Sequence, residues 1–426
     1  MHPASPARNA DELERDTPSR RTFLKYAGGI TAALSPVLAQ AQQRAAADKV
    51  EFPPDHAPTE APEKMPDPGL PPNERVGYAV VGLGRLSVGR LLPALARSKY
   101  ARLTALVSGD RAKAQKLARQ YGVGEQSIYG YQDFDRIVDN PDVQVVYIVL
   151  PNSMHAEFTI RAARAGKHVL CEKPMANSVA ECQQMIDACR KAGRKLMVAY
   201  RCQYEPLHRA MLKMVDAQKL GELKEFISAN SQNMGDPAQW RLKKALAGGG
   251  PLPDIGIYCI NAARFLSREE PVEVVGSILN NPSDPRFREV EESVQFTLRF
   301  SSGFTATCSS GYNSHKSQFL RLQGTLGWAE LDPAYAYEGN RLRSARLEDG
   351  QEVVSEPSIS PSDQFMLEMD HMAQCVKANR EPHTPGEEGM QDQRIIEAIY
   401  ASAASGRPVK LSLPGNVRGP TPEPPG

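Results

Sequence analysis

Two short runs hold the side chains best suited to moving a proton: Cys171-Glu172-Lys173-Pro174, and the stretch LPDIGIYCINAARFL that carries Asp254 and Tyr258. Asp254 and Tyr258 stand four residues apart at the start of an apolar helical pattern, which sets them on one face. A tyrosine takes a proton from an alcohol only when its pKa, about 10 in water, is brought down, and an ammonium such as that of Lys173 does this. Lys173 and Tyr258 therefore make a proton-transfer pair. Each also has a blander account, Glu172 and Lys173 as a solvated strand end and Tyr258 as a core aromatic with a satisfied hydroxyl.

The elements that must position this pair begin at Tyr78 with YAVVGLGRLSVGRLLPALARS. An apolar strand, a glycine-rich turn and a helical pattern with Leu91, Leu92 and Leu95 on one face follow one another. Gly82 and Gly84 stand where a dinucleotide fold needs residues without a Cβ: the first for the tight turn, the second so that backbone approaches a pyrophosphate at a helix N-terminus. Ser87 occupies the place of the third glycine, a departure that still leaves a small residue for close packing. The second strand, ARLTALVS, ends at Ser108 rather than at a carboxylate. With Ser108 and Gly109 as donors and Lys113 just beyond, the pattern suits NADP rather than NAD, unless Asp110 turns inward to take the ribose.

A helix over RAKAQKLARQYG, a loop with Tyr129 and Tyr131, a helix near residues 134–138 and then a strand-helix-strand run complete a parallel, doubly wound pattern. Leu150-Pro151-Asn152-Ser153 follows a strand's carboxyl end, where ligands bind in open α/β sheets. Asn152 and His155 are expected to face the cofactor, with helix capping the alternative for His155.

The 426 residues are 41% hydrophobic with a formal net charge of +1, enough for two domains and no electrostatic case for nucleic acid or an anionic surface. A small molecule is the expected partner. Seven cysteines without a C-x-x-C pair read as buried free thiols, and the eight histidines show no metal-ligand spacing, so no metal is expected.

Before the first strand lies SRRTFLKYAGGITAALSPVLAQA, with Arg20 and Arg21 ahead of an apolar run of roughly 14 residues, too short for a membrane span of about 20. It reads as a twin-arginine export signal that leaves no stable membrane anchor. That route carries folded proteins, which implies a ligand acquired before export, a tightly bound cofactor, and a periplasmic location. The chain then divides into a signal over 1–41, a proline-rich arm over 42–75, an NADP-binding Rossmann domain over 76–200, a substrate and oligomerisation domain over 201–412 and a flexible tail over 413–426. The arm reads equally as a disordered spacer or as a strap on a neighbouring subunit.

G-L-G after the first strand, L-P-N-S-x-H-A-E-F, A-G-K-H-V-x-C-E-K-P, W-R-L, A-G-G-G-x-L-x-D-I-G-I-Y and P-G-E-E-G-M-Q-D occur in order, from Tyr78 to about Leu411. On these motifs the sequence resembles the glucose-fructose oxidoreductase and inositol dehydrogenase-like family. The resemblance implies an α/β chain: an N-terminal Rossmann domain, then a C-terminal α/β domain whose large, mostly antiparallel open sheet mediates a homo-oligomer, dimer or tetramer. The runs KEFISANS, VEVVGSIL, ESVQFTLRF, GFTATCSS, QFLRLQG and WAELD agree with such a sheet.

It further implies Tyr258 as catalytic base with Lys173 and Asp254, and a cis Lys173-Pro174 peptide. Cofactor contacts map to Gly82, Leu83, Gly84, Arg85, Leu86, Ser108, Lys113, Tyr131, Leu150, Asn152, His155, Glu172, Lys173, Arg201, Trp240, Arg241 and Tyr337. Many relatives carry histidine at the place of Tyr258, so the tyrosine points to the sugar-oxidising branch. The activity implied is oxidation of a glucose-like aldose at C1 to the lactone, and reduction of a second sugar, fructose or an aldose, to a polyol in a ping-pong cycle. An ordinary sugar or inositol dehydrogenase that releases its cofactor, an NAD-dependent glycosidase and a non-catalytic sugar-binding protein are the alternatives.

Overall fold

The computed structural model describes residues 69–415 and 417–422. The export signal and the arm up to residue 68 lie outside the described residues. The arm's last residues make the short turn Pro72–Glu74, and the Arg75 guanidinium donates to the carbonyls of Leu70 and Ser98. Among the described residues no helix is long and apolar enough to cross a membrane.

The first sheet is built from β1 (Val76–Val81), β2 (Ala101–Val107), β3 (Ile128–Tyr129), β4 (Val145–Ile148), β5 (His168–Glu172) and β6 (Leu196–Ala199). Their order is β3-β2-β1-β4-β5-β6 and every pairing is parallel. This is the doubly wound dinucleotide-binding order, whose ligand crevice opens where the strand order reverses, between the carboxyl ends of β1 and β4. Burial on both faces explains why β1, VGYAVV, is apolar throughout and fully buried. Tyr129 belongs to β3 rather than to a loop.

The second sheet has nine strands: β7 (Leu223–Asn233), β8 (Pro271–Leu279), β9 (Ser293–Phe300), β10 (Thr305–Gly311), β11 (Asn313–Gly324), β12 (Gly327–Leu331), β13 (Leu342–Glu348), β14 (Gln351–Ser355) and β15 (Val409–Lys410). The order is β14-β13-β12-β11-β7-β10-β9-β8-β15, antiparallel except for β7 against β10. Alternation is clean in β9, where Val294, Phe296, Leu298 and Phe300 point inward. The helix Ile257–Ser267 packs on β7 and β10, burying Cys259, Ile260, Ala263 and Phe265. That packing fixes its first turn, which carries Tyr258.

Two segments from the chain's far end pack back onto earlier parts of it. The helix Gln364–Lys377, expected in the second domain, packs against β1 and β2: Phe365, Met369 and Met372 join their core, and Tyr78 Oη donates to the Met369 carbonyl at 2.8 Å. A sheet with helices on both faces needs that cover, and the chain supplies it from its far end. The tail expected to be flexible from residue 413 is docked over its described part. Gly419 N donates to the His383 carbonyl, Pro422 O accepts from Arg209 Nη2, and Arg418 enters a buried ion cluster.

In that cluster Arg264, fully buried, reaches Glu388 at 2.8 Å, Asp392 at 2.5 Å and Glu270 at 2.6 Å, and Arg418 meets Glu388 at 2.9 Å. Three carboxylates thus share two guanidinium groups. Burial pushes Glu388 upward, but Arg264 and Arg418 outweigh it and hold it at about 2. Asp392 is left on the high side, because burial dominates there and Arg264 is shared. All seven cysteines are buried free thiols.

Candidate active site

Gly82 turns the chain out of β1 at φ 93°, and a Cβ there would stand 2.3 Å from the Val149 carbonyl oxygen. Only glycine fits. Gly84 has nothing within 4 Å of the place its Cβ would take, so open space lies over the loop that enters the helical turn at Ser87. Ser87, fully buried, donates its Oγ to the Gly82 carbonyl at 2.5 Å. The residue that departs from the glycine pattern thus ties the turn closed. Leu83 is buried beside it, while Arg85 and Leu86 stand at the rim. A tight turn and an open cradle at the start of a helix fit a dinucleotide's pyrophosphate.

At the end of β2, Ser108 is buried and its Oγ accepts from Asp110 N at 3.0 Å. Asp110 turns its own Oδ1 to Lys113 N at 2.9 Å as the cap of the helix Arg111–Tyr121, the local bond that a helix start favours. The Tyr131 ring lies against Gly109, where a Cβ would come within 3.2 Å of it. Leu150 and Asn152 border the crevice after β4, and Asn152 Nδ2 donates to the Ala247 carbonyl at 2.9 Å. That bond ties the segment of Trp240 and Arg241 to the sheet edge. His155 follows. It is fully buried at the junction of the turn Asn152–Met154 and the helix His155–Arg164, with Nδ1 2.9 Å from the Pro174 carbonyl and Nε2 2.9 Å from that of Leu150, so its ring joins two loops of the crevice.

Across the cleft the structure brings together Lys173, Arg201, Arg241, Asp254, Tyr258 and Tyr337. Lys173 Nζ donates to the Asp254 carbonyl at 2.6 Å and lies 3.4 Å from its Oδ1. Asp254 Oδ2 accepts from Tyr312 Oη at 2.6 Å and meets Arg241 Nε at 3.1 Å. Burial would raise this carboxyl, but Arg241, Lys173 and the Tyr312 hydroxyl prevail and hold it at about 2. The Lys173-Pro174 peptide is cis, as the resemblance implies.

The cation at the phenol is not the expected one. Arg201 Nε donates to Tyr258 Oη at 3.2 Å, whereas Lys173 Nζ sits 4.9 Å from the centroid of the same ring. Burial pushes the Tyr258 phenol well above its ordinary value, and Arg201 offsets only part of that. Arg201 is itself held by Gln364 Oε1 at 2.5 Å and the Tyr335 carbonyl at 2.8 Å, with Tyr337 stacked 4.7 Å from its guanidinium. Glu172 turns away toward Tyr147, whose Oη lies 2.9 Å from it and 3.2 Å from Glu368. Burial raises both carboxyls. Sequence reasoning missed Tyr312, Tyr147, Gln364 and Glu368, each of which arrives from a distant segment without a local motif.

Residues 76–200 match the model of an oxidoreductase family with an NAD-binding Rossmann fold, and residues 208–330 match the GFO/IDH/MocA C-terminal domain, together more than half of the chain. The chain belongs to the GFO/IDH/MocA oxidoreductase family. As a member of it, this protein is an enzyme with an NAD(P)-binding Rossmann domain followed by the family's mostly antiparallel sheet. It is 31% identical over 343 residues to D-xylose 1-dehydrogenase [NADP(+)] of Haloarcula marismortui, covering 79% of this chain and 93% of that one. A dTDP-3,4-didehydro-2,6-dideoxy-alpha-D-glucose 3-reductase of Actinomadura kijaniata is 29% identical over 331 residues, 77% of this chain and 95% of that one. Among solved structures, the aldose-aldose oxidoreductase of Caulobacter crescentus, complexed with glycerol, superposes with a TM-score of 0.77 at 47% identity, covering 79% of this chain and all of that chain.

Proposed function

We propose that this GFO/IDH/MocA member is an exported sugar oxidoreductase that keeps NADP bound through its catalytic cycle. Its cycle oxidises an aldose at C1 to the lactone and reduces a second sugar, fructose or an aldose, to the polyol. The observation that carries the reading is the phenol of Tyr258 at the dinucleotide crevice, with Arg201 on its oxygen and the Lys173–Asp254 pair beside its ring. Similarity to an aldose-aldose oxidoreductase supports the substrate class. Arg20-Arg21 and the apolar run after them support export through the twin-arginine machinery.

Gly82, Gly84 and the helix starting at Ser87 would hold the pyrophosphate, and Ser108, Lys113 and Tyr131 the adenosine end. A bound nicotinamide supplies the hydride acceptor for sugar C1 and the donor for the second carbonyl. The rest falls to side chains. Tyr258 takes the proton of the C1 hydroxyl in one half-reaction and returns it to the second sugar's carbonyl oxygen in the other. Arg201 stabilises the phenolate between the two. Asp254 fixes Lys173 and Arg241 around the sugar's position, its own charge secured by Tyr312.

The test is the protein purified without added nucleotide and mixed rapidly with a panel of aldoses. Near-ultraviolet absorbance of reduced nicotinamide should rise with the donor and fall on adding fructose or a second aldose. Turnover that requires added free cofactor would instead make the enzyme an ordinary dehydrogenase.

NADP preference has its own test. A Ser108→Asp change places a carboxylate at the end of β2, where unit charges near 4 Å repel by about 1 kcal/mol in water and about 4 kcal/mol at a protein surface. Affinity for NADP, titrated by fluorescence on stripped enzyme, should fall tenfold or more while that for NAD holds. Unchanged NADP affinity would mean that the 2′-phosphate lies elsewhere.

A further inference from the structure

Arg201 Nε donates to the phenol oxygen of Tyr258 at 3.2 Å, the long end of the range for such a bond. A displacement of about half an ångström would break it. Arg201 opens the turn Arg201–Gln203, which follows β6 of the first sheet, while Tyr258 stands in the first turn of the helix Ile257–Ser267, which packs on the second. The bond therefore spans two separately built walls, and its length depends on whatever ties them together.

A second pair of side chains does so. Gln203, at the end of the turn that Arg201 opens, donates Nε2 to Asn261 Oδ1 at 2.9 Å, and Asn261 lies one helical turn beyond Tyr258. Both then reach the helix Gly386–Ser405: Gln203 Nε2 donates to Glu388 Oε1 at 3.3 Å, and Asn261 Nδ2 to the same oxygen at 3.2 Å and to Asp392 Oδ2 at 2.9 Å. Gln203 is 1% exposed and Asn261 5%, so these bonds are made away from solvent. Glu388 is itself fixed by Arg264 at 2.8 Å and Arg418 at 2.9 Å, and bonds to a charged acceptor are the strong ones. An amide nitrogen carries two donors, and here one serves Asn261 and the other Glu388. Gln203 Oε1 makes no bond, so the residue acts through those donors alone.

We infer that Gln203 is a positioning residue for proton transfer at Tyr258, holding the turn that carries Arg201 at the distance from which the guanidinium reaches the phenol oxygen. The inference rests on the role proposed for Tyr258. Arg201 has further bonds, to Gln364 and the Tyr335 carbonyl, but these fix the guanidinium against other segments and not against the helix of Tyr258. Among the described residues, the direct hydrogen bonds between side chains of the turn and of that helix are two, Gln203 to Asn261 and Arg201 to Tyr258. The first is the shorter and the better buried, and it sets the frame in which the second forms. With the first removed, the phenolate loses the donor that steadies it, while the groups around the sugar's position stay where they are.

Single-turnover oxidation of an aldose by the cofactor-loaded enzyme is the kinetic test. Gln203→Met keeps the length of the side chain and removes both donors. It should react roughly 10- to 100-fold more slowly, the contribution of one bond to a charged group, at an unchanged half-saturating aldose concentration. In a Tyr258→Phe background the same change should slow the reaction no further, because the oxygen toward which Gln203 positions Arg201 is gone. Losses that multiply, or a wild-type rate in the single variant, overturn the inference. A second readout needs no turnover: crystal structures of the ligand-free wild type and variant. In Gln203→Met the separation of Arg201 Nε and Tyr258 Oη should open beyond about 3.5 Å, and a separation unchanged from the wild type overturns the inference. Gln203→Asn, whose amide stops one carbon short, serves with the same outcomes if the methionine variant does not fold. Wild-type enzyme inert toward every aldose would count against the proposed function, leaving the crystal comparison to decide the positioning.

Discussion

Tyr258→Phe is expected to slow aldose-dependent reduction of the bound nicotinamide by about 10²- to 10⁴-fold, the contribution of one positioned acid-base group, while the cofactor stays in place. The separation is physical. The ring packs against Tyr335 at 5.6 Å between centroids and lies under Lys173 and Arg201, contacts that phenylalanine keeps. Only the oxygen goes, and with it the one bond that Arg201 makes to it. The dinucleotide turn at Gly82 and Ser87 belongs to the other wall of the crevice and does not depend on it. Rapid mixing with an aldose measures the loss and nucleotide released on denaturation measures occupancy. A rate within threefold of wild type would place proton transfer on another group.

Arg264→Met should cost about 3–5 kcal/mol of stability, the range for stripping one partner from a buried ion pair. Methionine fills much of the volume, so the loss is electrical. Glu388 and Asp392, both fully buried, would be left with Arg418 alone. Urea unfolding of the two proteins measures the difference, and a change under about 1 kcal/mol would mean that the cluster rearranges to pair its charges. The same cluster sets an acid limit for the wild type. Glu388 is held at about 2 in the folded protein, below the ordinary glutamate value of about 4.3. Its contribution is fully present above the latter value and is lost as pH falls from there through about 2.

The Rossmann half was legible because its signals are local. A buried parallel strand reads as a continuous apolar run, Gly82 is demanded by a turn that no Cβ can enter, and the strand-helix alternation dictates the parallel order. Six of the nine strands in the second sheet announced themselves in the same way. The hairpin of β13 and β14 did not, because LRSARLE and QEVVS are polar and largely exposed. Yet Asp349-Gly350 between them, both at positive φ, is a strong two-residue hairpin turn that composition alone concealed.

The site was legible as a set of residues and not as a wiring diagram. Lys173, Asp254 and Tyr258 do converge, but spacing along the chain could not tell that Asp254 would claim the ammonium and leave Arg201 to the phenol. His155 illustrates the same limit: adjacency to Asn152 gave no sign that its ring would lie between the carbonyls of Leu150 and Pro174.

The docked segment after residue 413 bears on how the molecule is made. Arg264, Glu270, Glu388 and Asp392 all precede Arg418 along the chain, so the second guanidinium of the cluster reaches it from the last element to dock. Closure of the buried cluster therefore depends on Arg418, and a chain cut short of it would leave Glu388, Asp392 and Glu270 to Arg264 alone.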